Sequence, residues 1–226
     1  MSNSTLTSEE IREILSHVDH TELRTTASWN DIRSLCDDAI RFQTATVCIP
    51  PAYVQQAKEY VGSRMRICTV IGFPNGYSTT AVKAAEAADA VHNGADEADM
   101  VINLGWVKDR RWSALRNEID TVKAAAGEHI LKVIVETCAL TPEERVKMAQ
   151  IVDASSADFI KTSTGFSTAG ATFEDIQVFA DTLQNGTEIK AAGGISSLED
   201  AQKFLQLGAA RLGTSRIVRI VKELSL

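Results

Sequence analysis

The chain has no long apolar run. Its longest are a handful of residues, such as Val133-Ile134-Val135, far short of the roughly 20 that cross a bilayer as a helix. No membrane partner is expected. Cysteine is sparse, and Cys36, Cys48, Cys68 and Cys138 form no CxxC pair. The stretch Met1–Glu10 is polar and lacks the basic start and apolar centre of a signal peptide. Together these point to reduced thiols in a cytoplasmic protein. Positive charge is not in excess: 23 Lys and Arg against 30 Asp and Glu leave −7. That balance argues against a nucleic-acid surface, though not against a local basic pocket. No Pro/Ser-rich linker divides the sequence, and the nucleotide fingerprints GxGxxG and GxxxxGK[ST] are absent.

What is present is ordinary globular composition over 226 residues, 44% hydrophobic and 23% charged, enough to build one large core. Short apolar runs alternate with helix-like stretches. Strands are expected at Val18–Leu23, Thr44–Ile49, Arg66–Gly72, Glu97–Asn103, Ile130–Glu136, Ala157–Thr162, Thr187–Ala191 and Ala209–Gly213. Helices are expected at Ser28–Phe42, Ala52–Val61, Thr79–His92, Trp106–Ala126, Thr141–Asp153, Thr172–Leu183, Ser197–Leu207 and Ser215–Leu224, after a short extra one near Ser8–Ser16. Gly94, Gly127, Gly186 and Gly208 sit where helix C-caps belong. Thr141-Pro142-Glu143-Glu144 is a helix start with its acids at the positive end. Eight strand–helix units imply a parallel sheet. A single-domain (β/α)8 TIM barrel over residues 1–226 fits the count at about 28 residues per unit, and an open doubly wound sheet is the rival.

The glycines cluster late, at Gly193-Gly194 and at Gly213-Thr214-Ser215, after strands 7 and 8. Barrel phosphate sites often form there, because glycine lets backbone N–H groups approach an anion. Ser196-Ser197 and Thr214-Ser215 can add hydroxyl donors, and simple tight turns are the alternative. Strand alternation places Glu97, Asp99, Val101 and Asn103 towards the barrel interior and Ala98, Met100, Ile102 and Leu104 towards the helices. Inward polar groups are costly unless paired. Glu97 reads as a solvated strand start. For Asp99 a structural hydrogen bond competes with function.

Lysines interrupt strands 5, 6 and 7. Lys132 lies early in its strand and reads as a surface residue with its stem packed down. Lys161 and Lys190 lie at C-terminal strand ends, where barrel active sites occur. Two ammonium groups held close disfavour each other's charge, so one can become a neutral nucleophile that forms an imine with a carbonyl. A carboxylate such as Asp99, or a water it holds, can move the protons. Another chemistry on a phosphate-binding barrel, such as an isomerase, and a barrel that only binds a sugar phosphate both remain open on these residues.

The motifs Asp19-His20-Thr21, Thr46-Val47-Cys48, Gly94-Ala95-Asp96-Glu97-Ala98-Asp99-Met100-Val101, Phe159-Ile160-Lys161-Thr162-Ser163-Thr164-Gly165, Lys190-Ala191-Ala192-Gly193-Gly194 and Gly213-Thr214-Ser215 run almost end to end. In them the chain resembles the deoxyribose-phosphate aldolase family of Schiff-base aldolases. The resemblance implies reversible cleavage of 2-deoxy-D-ribose 5-phosphate to D-glyceraldehyde 3-phosphate and acetaldehyde, with no metal or other cofactor. It implies Lys161 as the imine-forming lysine and Lys190 as the partner that eases loss of its proton and assists transfer. Asp99 becomes the acid/base, acting with a water. Asp19, Thr21 and Cys48 would line the substrate pocket, and Gly165 would join Gly193, Gly194, Gly213, Thr214 and Ser215 around phosphate. Barrels of this family are often homodimers.

Two departures stand out. Phe166 follows the TSTG turn where some members have a phosphate-holding lysine, and the sequence stops at Ser225-Leu226 without a terminal tyrosine. Arg216 is a candidate to restore the missing charge. The remaining features read as structural. His17, His20, His92 and His129 lack metal-ligand spacing. Cys36, Cys68 and Cys138 read as packing. Trp29, Trp106 and Trp112 pack helices, and Arg110-Arg111 reads as a solvated helix face.

Overall fold

The computed structural model describes residues 6–224. Met1–Thr5, at the start of the polar N-terminal stretch, and the end Ser225-Leu226 lie outside the described residues. Eight parallel strands pair in chain order: β1 (Val18–Thr21), β2 (Thr46–Ile49), β3 (Ile67–Ile71), β4 (Glu97–Val101), β5 (Ile130–Ile134), β6 (Phe159–Lys161), β7 (Glu188–Ala192) and β8 (Ala209–Thr214). Strand β8 returns to β1, so the barrel is closed. Helix α1 (Ser8–Ser16) precedes β1 as the expected extra helix. Helices α2 (Trp29–Phe42), α3 (Val54–Val61) and α4 (Thr80–His92) follow the first three strands. Both α5 (Leu104–Lys108) and α6 (Trp112–Ala126) follow β4. The later strands are followed by α7 (Pro142–Asp153), α8 (Phe173–Thr182), α9 (Leu198–Gln206) and α10 (Ile217–Glu223). No described helix is long and apolar enough to cross a membrane.

Local chemistry sets the helix ends. Thr7, Ser28, Thr141 and Thr172 each form a capping box with an acid three residues on, which satisfies backbone N–H groups that lack a helical partner. One helix expected from sequence is two. The chain takes a left-handed conformation at Arg110 (φ 55°), between α5 and α6, and the Arg111 guanidinium lies 4.7 Å from the Trp106 ring centre. These arginines therefore form a turn rather than a helix face.

Alternation along each strand separates two environments. Ala98, Met100 and Ile102 join the apolar layer between strands and helices. Asp99 and Glu97 face inwards and are buried. One buried ion pair ties that layer to the strand carrying Asp99. Lys83 of α4 donates to Glu118 of α6 at 2.9 Å and to the carbonyl of Val101, at the end of β4, at 2.8 Å. Both side chains are fully shielded from solvent. Removing one partner leaves the other charged or forces it neutral without a match. Glu118→Ala is therefore expected to lower unfolding free energy by about 3–5 kcal/mol, measured by urea denaturation. A loss below about 1 kcal/mol, the range of an exposed pair, would contradict this role.

Candidate active site

Strand register assembles the inward charges. Asp99 is level with Lys132, Lys161 with Lys190, and Lys190 with Arg211. Lys161 Nζ donates to Asp99 Oδ2 at 2.7 Å, and Lys190 Nζ donates to the same oxygen at 2.7 Å. Lys132 Nζ donates to Oδ1 at 2.9 Å, and the Cys68 thiol donates there at 3.1 Å. Asp99 thus receives four donors. Below it, Lys190 also reaches Asp19 at 2.5 Å, and Lys132 reaches Glu97 at 2.6 Å. Arg211 closes the network from β8, meeting Asp19 at 2.7 Å and Glu97 at 3.0 Å.

The cluster holds four buried cations (Lys132, Lys161, Lys190, Arg211) and three buried anions (Asp19, Glu97, Asp99), an excess of one positive charge. Burial works against every one of these charges. For Asp99 the pull of Lys132, Lys161 and Lys190 outweighs burial and holds the carboxyl well below the usual carboxylate range. Burial likewise opposes the Lys190 ammonium, yet Asp19 and Asp99 raise its pKa above the ordinary lysine value. Lys132 is raised well above its ordinary value, with Asp99 the largest influence opposing burial. Simple repulsion between two lysines is therefore not what governs Lys190, because carboxylates lie between the cations.

Lys161 differs from the other cations. Among the described residues its ion pairing is to Asp99 alone, and it is the member of the cluster that lines the main cavity. That cavity, about 480 Å³, opens at the C-terminal ends of the strands. Thr21, Gly165, Gly193, Gly194, Gly213, Thr214 and Ser215 line it, as expected from sequence, together with Arg24, Phe166 and Arg216. Gly194 (φ 73°) is required by close approach, since a Cβ there would lie 2.8 Å from the Ala171 carbonyl oxygen. The Ser196 hydroxyl is already engaged, donating to Asp200 at 2.5 Å, and Ser197 caps α9.

The other expected positions lie deeper. Asp19 and Cys48 are fully buried beneath the cavity. Cys48 packs with Cys68 and Val70, and the register sets Cys48 beside Cys68. Lys132 is 0% exposed and Glu97 is 1% exposed, so the surface readings of both are corrected. Their side chains point into an interior already stocked with opposite charge, and an early position in a strand confers no access to water there. Arg211 and Cys68 were missed as site residues. The available signal was parity, because both share a strand face with interior residues, but their partners are distant in sequence. Gly213 has a second use: a Cβ on it would lie 3.1 Å from Lys190 Cε, so glycine leaves room for that side chain.

Cys48, Cys68 and Asp99 bring one ligand atom each within 4.8 Å of one another, as do Asp19, Cys68 and Glu97. A dication at either place would displace ammonium groups from Asp99, Asp19 or Glu97 and then face them. The donor set does not fit a metal; its cations are its own lysines and arginine.

A family model for DeoC/LacD family aldolases matches residues 14–215. The deoxyribose-phosphate aldolase of Streptococcus agalactiae (serotype Ia) is 61% identical over 214 residues, covering 95% of this chain and 96% of that protein. That of Streptococcus pyogenes (serotype M4) is 61% identical over the same shares. Among solved structures, the aldolase QR15 aligns with a TM-score of 0.90 at 34% identity, over 94% of this chain and 96% of that one. The tetrameric deoxyribose phosphate aldolase of Aeropyrum pernix aligns with a TM-score of 0.84 at 26% identity, over 97% and 99%. The matched stretch 14–215 contains all eight strands and every charge of the interior cluster, and the chain belongs to the DeoC/LacD family of aldolases.

Proposed function

We propose that the chain is a deoxyribose-phosphate aldolase, a carbon–carbon lyase that works through an imine on Lys161. The observation that carries this reading is the position of Lys161. It alone among the cluster's cations faces the cavity, and it belongs to a group with one positive charge to spare. Releasing its proton brings the buried cluster to neutrality, whereas Lys132, Lys190 and Arg211 each bridge two or more carboxylates.

The neutral amine attacks C1 of the open-chain sugar phosphate, and the carbinolamine takes up one proton and loses water to give a protonated imine. Removal of the proton on the C3 hydroxyl lets the C2–C3 bond break, and the bonding pair moves to the imine nitrogen. D-Glyceraldehyde 3-phosphate leaves, and an enamine remains. Protonation at C2 and hydrolysis by water release acetaldehyde and restore the lysine. Asp99, acting with a water, serves as the acid/base, and its shared contact with Lys190 supplies the return proton. Because both lysines donate to one oxygen, the positive charge of the imine occupies a place already built for a cation. Gly165, Gly193, Gly194, Gly213, Thr214 and Ser215 form the phosphate end of the cavity, with Arg216 supplying charge. Asp19 and Cys48 act from beneath, Asp19 by holding Lys190 and Cys48 by packing against Cys68.

Incubation with 2-deoxyribose 5-phosphate followed by borohydride is expected to fix a reduced adduct on the peptide bearing Lys161, read by mass spectrometry. No adduct on folded protein would sink the imine mechanism, and an adduct without turnover would indicate a barrel that only binds. Lys190→Leu removes a cation beside Lys161 while leaving Asp99 to hold the ammonium. The acid limb of kcat/KM is then expected to move to higher pH, with activity near neutrality falling about 100-fold. An unchanged pH profile in a folded variant would contradict the shared role. Arg216→Ala is expected to raise KM for the phosphorylated sugar with a smaller effect on kcat; an unchanged KM would remove Arg216 from the phosphate site.

A further inference from the structure

One buried carboxylate near Lys161 takes no part in the charge cluster. Glu136, two residues past the end of β5, is 3% exposed. It makes no ion pair among the described residues. Its acceptors are met chiefly by one neighbour. The Thr164 amide donates to Glu136 Oε1 at 3.2 Å, and the Thr164 hydroxyl donates to Oε2. The Cys138 thiol is a weak third donor, at 3.9 Å. A carboxylate buried without a cation is costly unless hydrogen bonds compensate it, and here those bonds come from the turn that follows Lys161.

The backbone at Glu136 is strained as well. Its φ of 53° and ψ of 67° are left-handed, a conformation disfavoured for any residue with a Cβ. Such strain persists only where the surroundings over-determine it, and it gathers at functional sites. At Glu136 both flanks are fixed. The Val135 amide donates to the Lys161 carbonyl at 3.0 Å, and the Thr137 amide donates to the Thr162 carbonyl at 2.9 Å. The Thr137 hydroxyl donates to the buried Asp175 carboxylate at 3.0 Å, and Arg145 Nε donates to the Thr137 carbonyl at 3.2 Å. Glu136 therefore sits between two rungs that join the end of β5 to the strand of Lys161.

The turn that Glu136 grips lines the cavity through Thr164 and Gly165, whereas Glu136 itself does not. The Thr164 hydroxyl gives its one proton to Glu136 and accepts from the Phe166 amide at 3.0 Å. It has no proton left for a ligand. From Thr164 to Phe166, the Gly165 N–H is the backbone donor without an acceptor among the described residues. Gly165 is left-handed, at φ 84°, and turns of this kind gather N–H groups into an anion-binding concavity. The far end of the loop is docked as well, since the Ala171 amide donates to the Ala192 carbonyl at 3.0 Å.

We infer that Glu136 is a positioning residue for the phosphate end of the cavity: acting through Thr164, it fixes the Thr164-Gly165 turn so that the Gly165 N–H is presented to the anion. This rests on the phosphate site and imine mechanism proposed above. With the turn held beforehand, the arriving sugar phosphate does not have to order it, and the ordering cost is removed from binding. The strain at Glu136 is the cost of placing a carboxylate under the turn.

The test is steady-state cleavage of 2-deoxyribose 5-phosphate by Glu136→Gln, Thr164→Val, Thr164→Ser and the double variant Glu136→Gln/Thr164→Val, each checked for folding by circular dichroism. Glutamine keeps the size but turns one acceptor into a donor, which opposes one of the two donors of Thr164. Glu136→Gln is expected to raise KM about tenfold or more, with kcat falling less than about threefold. Borohydride trapping of acetaldehyde on Lys161, which involves no phosphate, is expected to proceed at the wild-type rate. Thr164→Val is expected to raise KM in the same way, and Thr164→Ser, which keeps the hydroxyl, to hold it near wild type. The double variant is expected to match the worse single one, because both remove the same contact. A KM within about twofold of wild type in folded Glu136→Gln would overturn the inference, as would trapping that falls in step with KM or losses that multiply in the double variant. Should Glu136→Gln not fold, an unmoved KM in Thr164→Val overturns it. Trapping on the wild type separates the two levels. If the adduct forms and KM does not move, only the role of Glu136 falls; if no adduct forms, the imine reading falls with it.

Discussion

The carboxylate of Asp99 is the contact on which the interior depends. Three lysines converge on it, with the Cys68 thiol as a fourth donor. Without that carboxylate the lysines would be like charges in a medium that screens them poorly. With it they share one acceptor, and the strands that carry them are drawn to a common centre. Asp19 and Glu97 extend the arrangement downwards and engage Arg211. The barrel therefore carries a polar, charge-paired centre inside its strands, while the apolar core lies between strands and helices.

The same arrangement links stability to chemistry. Lys132, Lys190 and Arg211 are each held by more than one carboxylate and serve the network. Lys161 is held by one, at the floor of a cavity of about 480 Å³. Loss of any one proton would balance the cluster, and Lys161 is the cation with the fewest carboxylates to hold it. In the proposed imine mechanism this cation is the nucleophile, and the frame that holds it is set by strand register and by Gly213, which leaves space for Lys190.

Much of this was legible in the sequence. Alternation of strands and helices indicated the barrel, and the strand bounds agree to within a few residues. Parity along β4 placed Asp99 inwards, and strand-end positions singled out Lys161 and Lys190. The late glycines Gly193, Gly194 and Gly213 line the cavity at the C-terminal strand ends. Other features were hidden for a definite reason. Parity gives the face of a residue but neither its depth nor its partner. Glu97 looked solvated because it begins its strand and Lys132 because it lies early in its own, yet both lie in an interior whose charges come from other strands. Arg211 meets Asp19 across 192 residues of chain, a distance over which no local pattern speaks. Cys68 looked like packing because its acceptor, Asp99, lies on the next strand. The break at Arg110 was invisible because arginine has no left-handed preference.

The central claim is that Lys132 and Lys190 are held as cations by the carboxylates they bridge, which leaves Lys161 as the cavity-facing lysine with one carboxylate partner among the described residues. The most direct measurement is a titration of the lysine side chains by nitrogen-15 NMR in the unliganded enzyme, with Lys132 and Lys190 assigned by single substitution. The account predicts that both remain ammonium groups above the pH at which an ordinary lysine loses its proton. Loss of either proton at or below the ordinary lysine range would contradict it.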